Sequence, residues 1–291
     1  GDLAAACGVA GAACVSCDTA ACPPERCTGA GACGPLGVTT VDLRRRQVLA
    51  IAPDGTLWSW GENDSGELGL GDILGRDVPT QVGVDSDWAQ ASAGQEHGCA
   101  VKTTGQLWCW GNGGRTGRLG LGAVDVSLVP VRVGTATNWS MVTCAMDHTC
   151  ALRTDGTLWC WGDDSRGVVG AVGSSIVREP RRIGAETDWT SVDAYTEHTC
   201  ALRGAGLLFC WGDNSDEQLG TNEGDGAVPT LVGTDTDWRQ VAVGGSAPGG
   251  AFSCALKTDG SRWCWGWNGS NRLQGGGGFR GSDTPRRMDA G

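Results

Sequence analysis

The sequence predicts an all-β protein, specifically a β-propeller of five blades with about four strands each. The main observation is a segment rich in strand-forming residues that occurs five times. The copies end at tryptophans that are 50, 51, 50 and 54 residues apart, namely Trp60, Trp110, Trp161, Trp211 and Trp265. A period near 50 residues made of strand patterns is typical of propeller blades, whereas helical arrays show an apolar period of 3.6 residues.

Each copy has the pattern of a β-hairpin, which is clearest in residues 148–162. Two apolar runs flank an Asp-Gly pair, which favours a tight turn with glycine at a positive φ. Side-chain alternation places Cys150 and Leu152 on one face, with Trp159 and Trp161 on the other. Both faces are apolar, so we expect the hairpin to be covered on both sides.

The ends of the repeat region predict how the ring closes. Each full unit has a first strand that begins at a tryptophan, then the hairpin, a polar loop and a final strand that carries proline. The first unit begins at Val38, where other units have their tryptophan, and the last unit ends near Met288. We therefore expect the strand near Pro285 to lie beside the strand near Val41, because closure removes exposed strand edges.

The fifteen cysteines indicate in which kind of compartment the protein resides. Four pairs are separated by ten residues within the hairpins: Cys99 and Cys109, Cys150 and Cys160, Cys200 and Cys210, and Cys254 and Cys264. In the first hairpin both positions lack cysteine, and Leu49 and Ser59 take their place. Joint presence and joint absence favours cross-strand disulfides. Because such a density of disulfides persists in an oxidising environment, we expect an extracellular or cell-surface protein.

Residues 1–36 differ from the repeats, which occupy residues 37–291. The segment consists largely of Ala, Gly and Cys, has six cysteines and has almost no large apolar side chains. We expect disulfides to hold it together, in one of fifteen connectivities. Cys14 and Cys17 have the Cys-x-x-Cys spacing that also occurs in metal sites and redox pairs, but no histidine lies nearby.

Cys144 is the odd cysteine of the repeat region. Other units have Ala93, Ala194 and Val243 at its position, which favours a buried free thiol. The alternative is a disulfide to the N-terminal segment. That link would leave an N-terminal cysteine available for a bond to a neighbouring subunit.

The composition excludes some partners. A formal net charge of −11 and a pI of about 4.7 argue against nucleic-acid binding, which requires a basic surface. The basic run Arg44 to Arg46 is short, and we expect it to be solvated. The sequence has no run of 18 apolar residues, so it predicts no membrane-spanning segment.

The repeats resemble those of the regulator of chromosome condensation family. The resemblance rests on His-Thr-Cys-Ala-Leu, Asp-Gly, Leu-Trp-Cys-Trp-Gly, a Leu-Gly pair and a later proline, and it extends from Val38 to about Met288. It implies a propeller that binds proteins. The paired cysteines resemble those of bacterial secreted or surface members. The best-known member is a seven-bladed exchange factor for a small GTPase. Five repeats, an acidic composition and paired cysteines predict that a small GTPase is not the partner of this chain.

Few residues suggest a catalytic or metal-binding role. His97, His148 and His198 occupy one repeated position, which Gln47 and Phe252 take in the other units. Three histidines could line the channel and hold a metal, but replacement by phenylalanine favours a packing role. We find no serine elbow, phosphate loop or His-Glu-x-x-His pattern. We therefore expect no catalytic residues, no cofactor and no metal; the alternative is a secreted metal-dependent binder or enzyme that uses the channel.

The acidic loops after each Trp-Gly pair have two interpretations. Those that start at Glu62, Asp163 and Asp213 carry oxygen ligands that could hold calcium, but none reproduces a full calcium-binding pattern. Asp, Asn, Ser and Gly are also the usual residues of tight turns, which is the interpretation we favour.

Aromatic residues that break the repeat pattern are candidates for partner binding. Trp267 stands where other units have acidic residues, Tyr195 takes the position of Gly94, and Phe279 follows a glycine run that replaces the usual Leu-Gly element. Exposed aromatics on loops are suited to anchoring a partner, although local packing explains them equally well. The sequence thus predicts a non-catalytic extracellular scaffold for protein–protein interaction or self-assembly.

Overall fold

The computed structural model describes residues 37–44, 46–170, 175–246, 250–269 and 281–288, together with the backbone of two short strands in the N-terminal segment. These strands, β1 (Glu25–Cys27) and β2 (Cys33–Pro35), pair antiparallel with Cys27 opposite Cys33. The other predictions on the N-terminal cysteines, and the one on Phe279, lie outside the described residues. The domain boundary at residue 36 stays a prediction.

Twenty further strands form five antiparallel sheets, each built from four consecutive strands. The first sheet is β3 (Thr40–Arg44), β4 (Gln47–Ile51), β5 (Leu57–Gly61) and β6 (Arg76–Gln81); the second is β7 (Trp88–Ala93), β8 (His97–Lys102), β9 (Leu107–Asn112) and β10 (Val126–Arg132); the third is β11 (Trp139–Cys144), β12 (His148–Arg153), β13 (Leu158–Asp163) and β14 (Ile176–Ile183); the fourth is β15 (Trp189–Tyr195), β16 (His198–Arg203), β17 (Leu207–Gly212) and β18 (Gly226–Leu231); the fifth is β19 (Trp238–Ser246), β20 (Gly250–Lys257), β21 (Arg262–Trp267) and β22 (Gly281–Met288). The predicted all-β propeller architecture is confirmed. Within the described ranges, the only helical element is a short 3-10 turn at Gly114–Thr116, so no helix there could cross a membrane.

The central hairpin of each sheet has the predicted register. In the third sheet, Cys150 lies opposite Cys160 and Leu152 lies opposite Leu158. Disulfides join the four cysteine pairs that are separated by ten residues. Trp161 is completely buried, whereas Trp159 is partly exposed beneath the Arg153 guanidinium, whose carbon lies 3.8 Å from the ring centroid. The hairpin is therefore covered on both faces, with a cation covering the outermost tryptophan.

Neighbouring sheets are bonded through their buried tryptophans. We call the face of a sheet toward the preceding sheet its leading face, and the face toward the following sheet its trailing face. On each leading face, a buried indole Nε1 donates to a backbone carbonyl of the preceding sheet. These bonds, of 2.8–2.9 Å, are Trp110 to Glu67, Trp161 to Arg118, Trp211 to Val168 and Trp265 to Gln218. The bond satisfies the one polar atom of a large buried apolar ring.

The first strands of the sheets line a common axis. Asp42 Oδ2 on β3 accepts from the backbone N–H of Ala93 on β7, at 3.0 Å. Asp193 Oδ2 on β15 likewise accepts from the N–H of Val243 on β19, at 2.8 Å. Each carboxylate therefore satisfies a backbone donor that the sheet itself leaves unpaired.

The predicted closure of the ring by a shared sheet is wrong. The strand that carries Pro285, β22, pairs with β21 of its own sheet, and β3, which carries Val41, pairs with β4. The physical reason is that both terminal units already contain four strands. Although Val38 takes the tryptophan position and β3 begins two residues later, at Thr40, the strand still pairs with β4 along its whole length, so the first sheet has no vacant position for β22.

Removal of one hairpin disulfide should destabilise the protein measurably. We expect the double substitution Cys150→Ala and Cys160→Ala to lower the free energy of unfolding by about 2–3 kcal/mol, because the bond constrains the unfolded chain. Denaturant titration measures this change. Cys144→Ala, which removes a buried sulfur but no disulfide, is the control and should cost about 1 kcal/mol. Equal losses in both variants would contradict the prediction.

Candidate functional site at the channel mouth

The first strands of the first four sheets end close together at one end of their common axis, which we call the channel mouth. A small cavity at this mouth is bounded by the first four sheets. Its lining residues are Arg44, Gly94, Gln95, Cys144, Ala145, Met146, Tyr195 and Thr196. The mouth therefore collects side chains from turns that are far apart in the sequence.

Arg44 connects the first sheet to the fourth. Its Nη2 donates to Asp193 Oδ1 at 3.0 Å, and its guanidinium carbon lies 5.0 Å from the centroid of the Tyr195 ring. Nε lies 3.8 Å from Asp42 Oδ1. Only 16% of the Arg44 side chain is exposed, so the expectation of a solvated basic run is wrong for this residue. The planar guanidinium suits this site because it can stack on the Tyr195 ring and donate to the Asp193 carboxylate at the same time.

Burial raises the pKa of the Asp193 carboxyl, and the Arg44 charge and the N–H of Val243 oppose this shift. Thr143 Oγ1 also donates to Asp193 Oδ1 at 3.2 Å. The carboxylate is thus bonded to three sheets besides its own. Its contacts explain why a charged residue stands on a strand position that is small and polar in Ser92 and Thr143.

Loss of the Arg44 contacts at the channel mouth should destabilise the protein. We expect Arg44→Met to lower the free energy of unfolding by about 2 kcal/mol, because a hydrogen bond to a buried charge is lost. Arg46→Met is the control, since Arg46 pairs with Glu62 on the exposed surface and should contribute almost nothing. Unfolding titrations of both variants measure the difference. An Arg44→Met variant as stable as the control would contradict the prediction.

The repeated histidines are distributed between pairs of sheets. The Nε2 atoms of His97, His148 and His198 each lie 2.9 Å from a hydroxyl oxygen of the following sheet, which belongs to Thr149, Thr199 and Ser253 respectively. Burial lowers the pKa of His148 to about 3 and that of His198 to about 4, and lowers that of His97 as well. The imidazoles are therefore neutral at pH 7, and each bonds its own hydroxyl partner, which is the packing role that the sequence favours.

Cys144 is a free, buried thiol. Burial raises its pKa, so the sulfur is protonated and unreactive at neutral pH. Within the described ranges, His97, Cys99 and Cys144 are the one group of three potential metal ligands whose ligand atoms lie within 4.8 Å of one another. Cys99, however, is bonded to Cys109, so the oxidised protein offers two of the three ligands.

The acidic loops show turn chemistry. Asn63 Oδ1 accepts from the N–H of Leu68, and Asp164 Oδ1 accepts from the N–H of Val169, both at 2.9 Å. Asn214 Oδ1 makes the same bond to Leu219. One oxygen at this repeated position thus fixes each loop by accepting from the backbone five residues later.

The structure separates the candidate aromatic residues. Tyr195 lines the cavity at the mouth beside Cys144, and Trp267 is not among the lining residues. Trp267 ends β21 with 38% of its surface exposed. Its ring lies against Gly250 and Gly269, where an added Cβ would approach ring atoms to 1.8 Å and 2.2 Å. The indole is therefore held in place by two residues without side chains, which leaves its outer surface free.

Comparison with known repeats identifies the family. A model described as "Regulator of chromosome condensation (RCC1) repeat" matches residues 54–101, 104–152 and 205–247. A second model with the same description matches residues 88–115, 147–168 and 189–218, and together the two models cover more than half of the chain. The chain belongs to the RCC1 repeat family. Its propeller is thus of a kind suited to protein–protein interaction.

Two relatives share part of the chain. The ultraviolet-B receptor UVR8 of Arabidopsis thaliana is 39% identical over 127 residues, which is 42% of this chain and 28% of UVR8. The human E3 ubiquitin-protein ligase HERC2 is 30% identical over 136 residues, or 43% of this chain and 3% of HERC2. The chain therefore spans less than a third of the length of either relative.

Solved structures share the fold. Human WBSCR16 superimposes with a TM-score of 0.74 at 21% identity, over 89% of this chain and 71% of that protein. Prp20p of Saccharomyces cerevisiae gives a TM-score of 0.74 at 21% identity, over 87% of this chain and 63% of Prp20p. At these identities the likeness establishes the propeller fold alone.

Proposed function

We propose that this protein is a non-catalytic extracellular or cell-surface scaffold that binds a protein through the rim at the channel mouth. The observation that carries the proposal is Trp267, an exposed indole at a position where the other sheets have Glu62, Asn112, Asp163 and Asp213. Aromatic anchors fixed in one orientation bind at low entropic cost. The two glycines that hold the ring supply this fixation.

Family likeness supports the protein-binding part of the proposal. Prp20p of Saccharomyces cerevisiae binds Gsp1p and histones, so one propeller of similar fold binds proteins. At 21% identity the partners of Prp20p are not carried over to this chain. The net charge of this chain favours a partner with a different surface. A net charge of −11 suits a partner that is basic near the contact.

The non-catalytic part of the proposal is supported by how the polar groups are bonded. The charged groups at the mouth, Arg44 and Asp193, neutralise each other, and the histidines bond neighbouring sheets. Such groups are fixed in structural bonds, and the buried histidines are inaccessible to the substrate that an acid–base catalyst must contact.

The extracellular part of the proposal rests on the four hairpin disulfides. We expect alkylation of denatured but unreduced protein from its natural source to label none of the eight hairpin cysteines. After reduction and denaturation, the same reagent should label all eight. Labelling of hairpin cysteines before reduction would contradict an oxidising compartment.

The Trp267 contact can be tested with matched variants. Wild-type protein, Trp267→Ala and the control Val84→Ala would be immobilised and exposed to the extracellular fraction of the source organism under native conditions. Val84 is 91% exposed and lies in the loop before β7, away from the mouth. We expect a protein that wild type and the control retain and Trp267→Ala loses. An identical set of proteins on all three would contradict the proposal.

A further inference from the structure

The contact between the second and third sheets holds three potential metal ligands. A ring nitrogen of His97 and the sulfurs of Cys99 and Cys144 lie within 4.8 Å of one another, and all three side chains are completely buried. At the position of Cys144 the other units have apolar residues without sulfur, namely Ala93, Ala194 and Val243. Among the described residues, no other sheet contact brings three such ligands together.

The hydrogen bonds of His97 leave one of its ring nitrogens free to bind a metal. Thr149 Oγ1 donates to the Arg118 carbonyl at 2.8 Å, so it accepts from His97 Nε2, which lies 2.9 Å away. The ring proton is therefore on Nε2, and Nδ1 carries a lone pair. Nδ1 is buried and has no hydrogen-bond partner in the part of the chain that the structure describes. Imidazoles that bind metals usually donate through their other nitrogen in this way.

The cavity at the channel mouth adjoins these ligands. Its volume is about 30 Å³, which is enough for one water, and both Gly94 and Cys144 line it. The edge of the His97 ring that carries Nδ1 lies against Gly94, where an added Cβ would approach Nδ1 to 2.4 Å. The free lone pair and Cys144 thus lie beside the same cavity, in which a water can supply the fourth ligand of a tetrahedral metal site.

We propose that reduction of the Cys99–Cys109 disulfide creates a Zn²⁺ site, with His97 Nδ1 and the sulfurs of Cys99 and Cys144 as its protein ligands. In the oxidised protein, the bond to Cys109 prevents Cys99 from binding as a thiolate. Thiolates and imidazoles are the ligands that Zn²⁺ prefers, and two thiolates neutralise its charge, which a buried site requires.

The chemistry of the step is balanced by a dithiol reductant. The reductant gives two electrons and two protons to the disulfide, which becomes two thiols, while the reductant closes its own disulfide. Zn²⁺ then displaces one proton from Cys99 and one from Cys144, and His97 binds as the neutral imidazole. The inference goes beyond the proposed function, which requires neither reduction nor a metal.

A single substitution isolates this site from the other hairpins. Cys109→Ala leaves Cys99 as a free thiol beside His97 and Cys144, and it leaves the other three hairpin disulfides intact. The variant would be kept under argon, its free thiols counted in denatured protein, and its folding verified by circular dichroism. Titration with Co²⁺ reports sulfur ligands through thiolate-to-metal charge-transfer absorption, and Zn²⁺ is then added to displace the Co²⁺.

The third sheet supplies a matched control. Cys160→Ala frees Cys150 in the same way, and His148 stands beside it at the position of His97. The third ligand is absent there, because Ala194 takes the position of Cys144. Both variants lose one hairpin disulfide, so the presence of the third ligand is the difference that matters for metal binding.

We expect Cys109→Ala to bind one equivalent of Co²⁺ with charge-transfer absorption, and Zn²⁺ to displace it. Cys160→Ala and oxidised wild type, which offer two ligands each, should bind at least about 100-fold more weakly, because a lost ligand costs more than a lost outer-shell partner. Addition of Cys144→Ala or His97→Gln to Cys109→Ala should abolish the absorption. Equal binding by Cys109→Ala and Cys160→Ala, or binding that survives Cys144→Ala, would overturn the inference.

A second measurement avoids the substitution of Cys109, in case that variant does not fold. Wild type and Cys144→Ala would be reduced under native conditions with a phosphine until thiol counts show that every disulfide is open, and both would be titrated with Zn²⁺. The other hairpins contribute equally to the two proteins, so wild type should bind one equivalent more than Cys144→Ala. Equal stoichiometries would overturn the inference.

Discussion

Replacement of Trp161 by alanine should lower the free energy of unfolding by about 3–5 kcal/mol, which is the cost of truncating a completely buried tryptophan. The ring meets Trp139 edge to face, with centroids 6.3 Å apart, and its Nε1 bonds the Arg118 carbonyl of the preceding sheet. The substitution therefore leaves a cavity between the second and third sheets and removes one of two hydrogen bonds to that carbonyl, which still accepts from Thr149 Oγ1 at 2.8 Å. Denaturant unfolding of the purified variant measures the loss.

Trp60 in the first sheet is a matched control for this substitution. Trp60 occupies the same position in the first sheet but is partly exposed, because among the described residues no four-stranded sheet precedes it. We expect Trp60→Ala to cost distinctly less than Trp161→Ala, since less apolar area returns to water and no tight cavity forms. Equal losses would mean that the leading face of the first sheet is covered in solution, which would contradict the exposure seen here.

The repeated hairpins could be predicted from the sequence because several constraints agree there. Side-chain alternation, the Asp-Gly turn and paired cysteines at a spacing of ten residues fix the same register, so Cys150 lies opposite Cys160 as expected. The period near 50 residues then fixes the number of sheets. Local patterns are sufficient wherever the contact lies within one repeat.

Ring closure could not be predicted in the same way. Absence of a tryptophan at Val38 indicated a missing strand, but strand pairing depends on backbone hydrogen bonds, and β3 forms them without the aromatic ring. Whether the fifth sheet reaches the first depends on the rotation between sheets. That rotation is a property of side-chain packing at each interface, and no single repeat pattern encodes it.

The candidate site was predicted in part. Tyr195 was found because it breaks the repeat, whereas Arg44 and Asp193 were missed because they lie in different sheets and meet across the channel. A pattern that pointed to them was available: Asp42 and Asp193 place a carboxylate on a strand face where other units have small residues. A charge at such a position predicts a buried partner, although the sequence alone does not say which arginine supplies it.

Acid should destabilise the wild-type protein more than a variant in which His148 is replaced by glutamine. Burial lowers the pKa of His148 from 6.5 in the unfolded chain to about 3 in the fold. Below pH 6.5 the unfolded chain therefore binds a proton that the folded chain excludes. The contribution of this residue is fully present above pH 6.5 and is lost as the pH falls toward 3. Between pH 7 and pH 4 the loss is about 3 kcal/mol for this one residue.

Glutamine is the suitable replacement because the first sheet already uses it at this position. Gln47 Nε2 donates to the carbonyls of Gly94 and His97 in the following sheet, at 2.8 Å and 2.9 Å, so His148→Gln should keep a hydrogen bond to the fourth sheet without a titrating group. Other groups shift in the opposite sense, since burial raises the pKa of Asp164 to about 6. Wild type and variant share those groups, so the difference between their unfolding free energies at pH 7 and at pH 4 isolates His148. The same dependence on pH in both proteins would mean that the buried imidazole gains a proton without loss of stability, which contradicts its bond to Thr199 and its burial between two sheets.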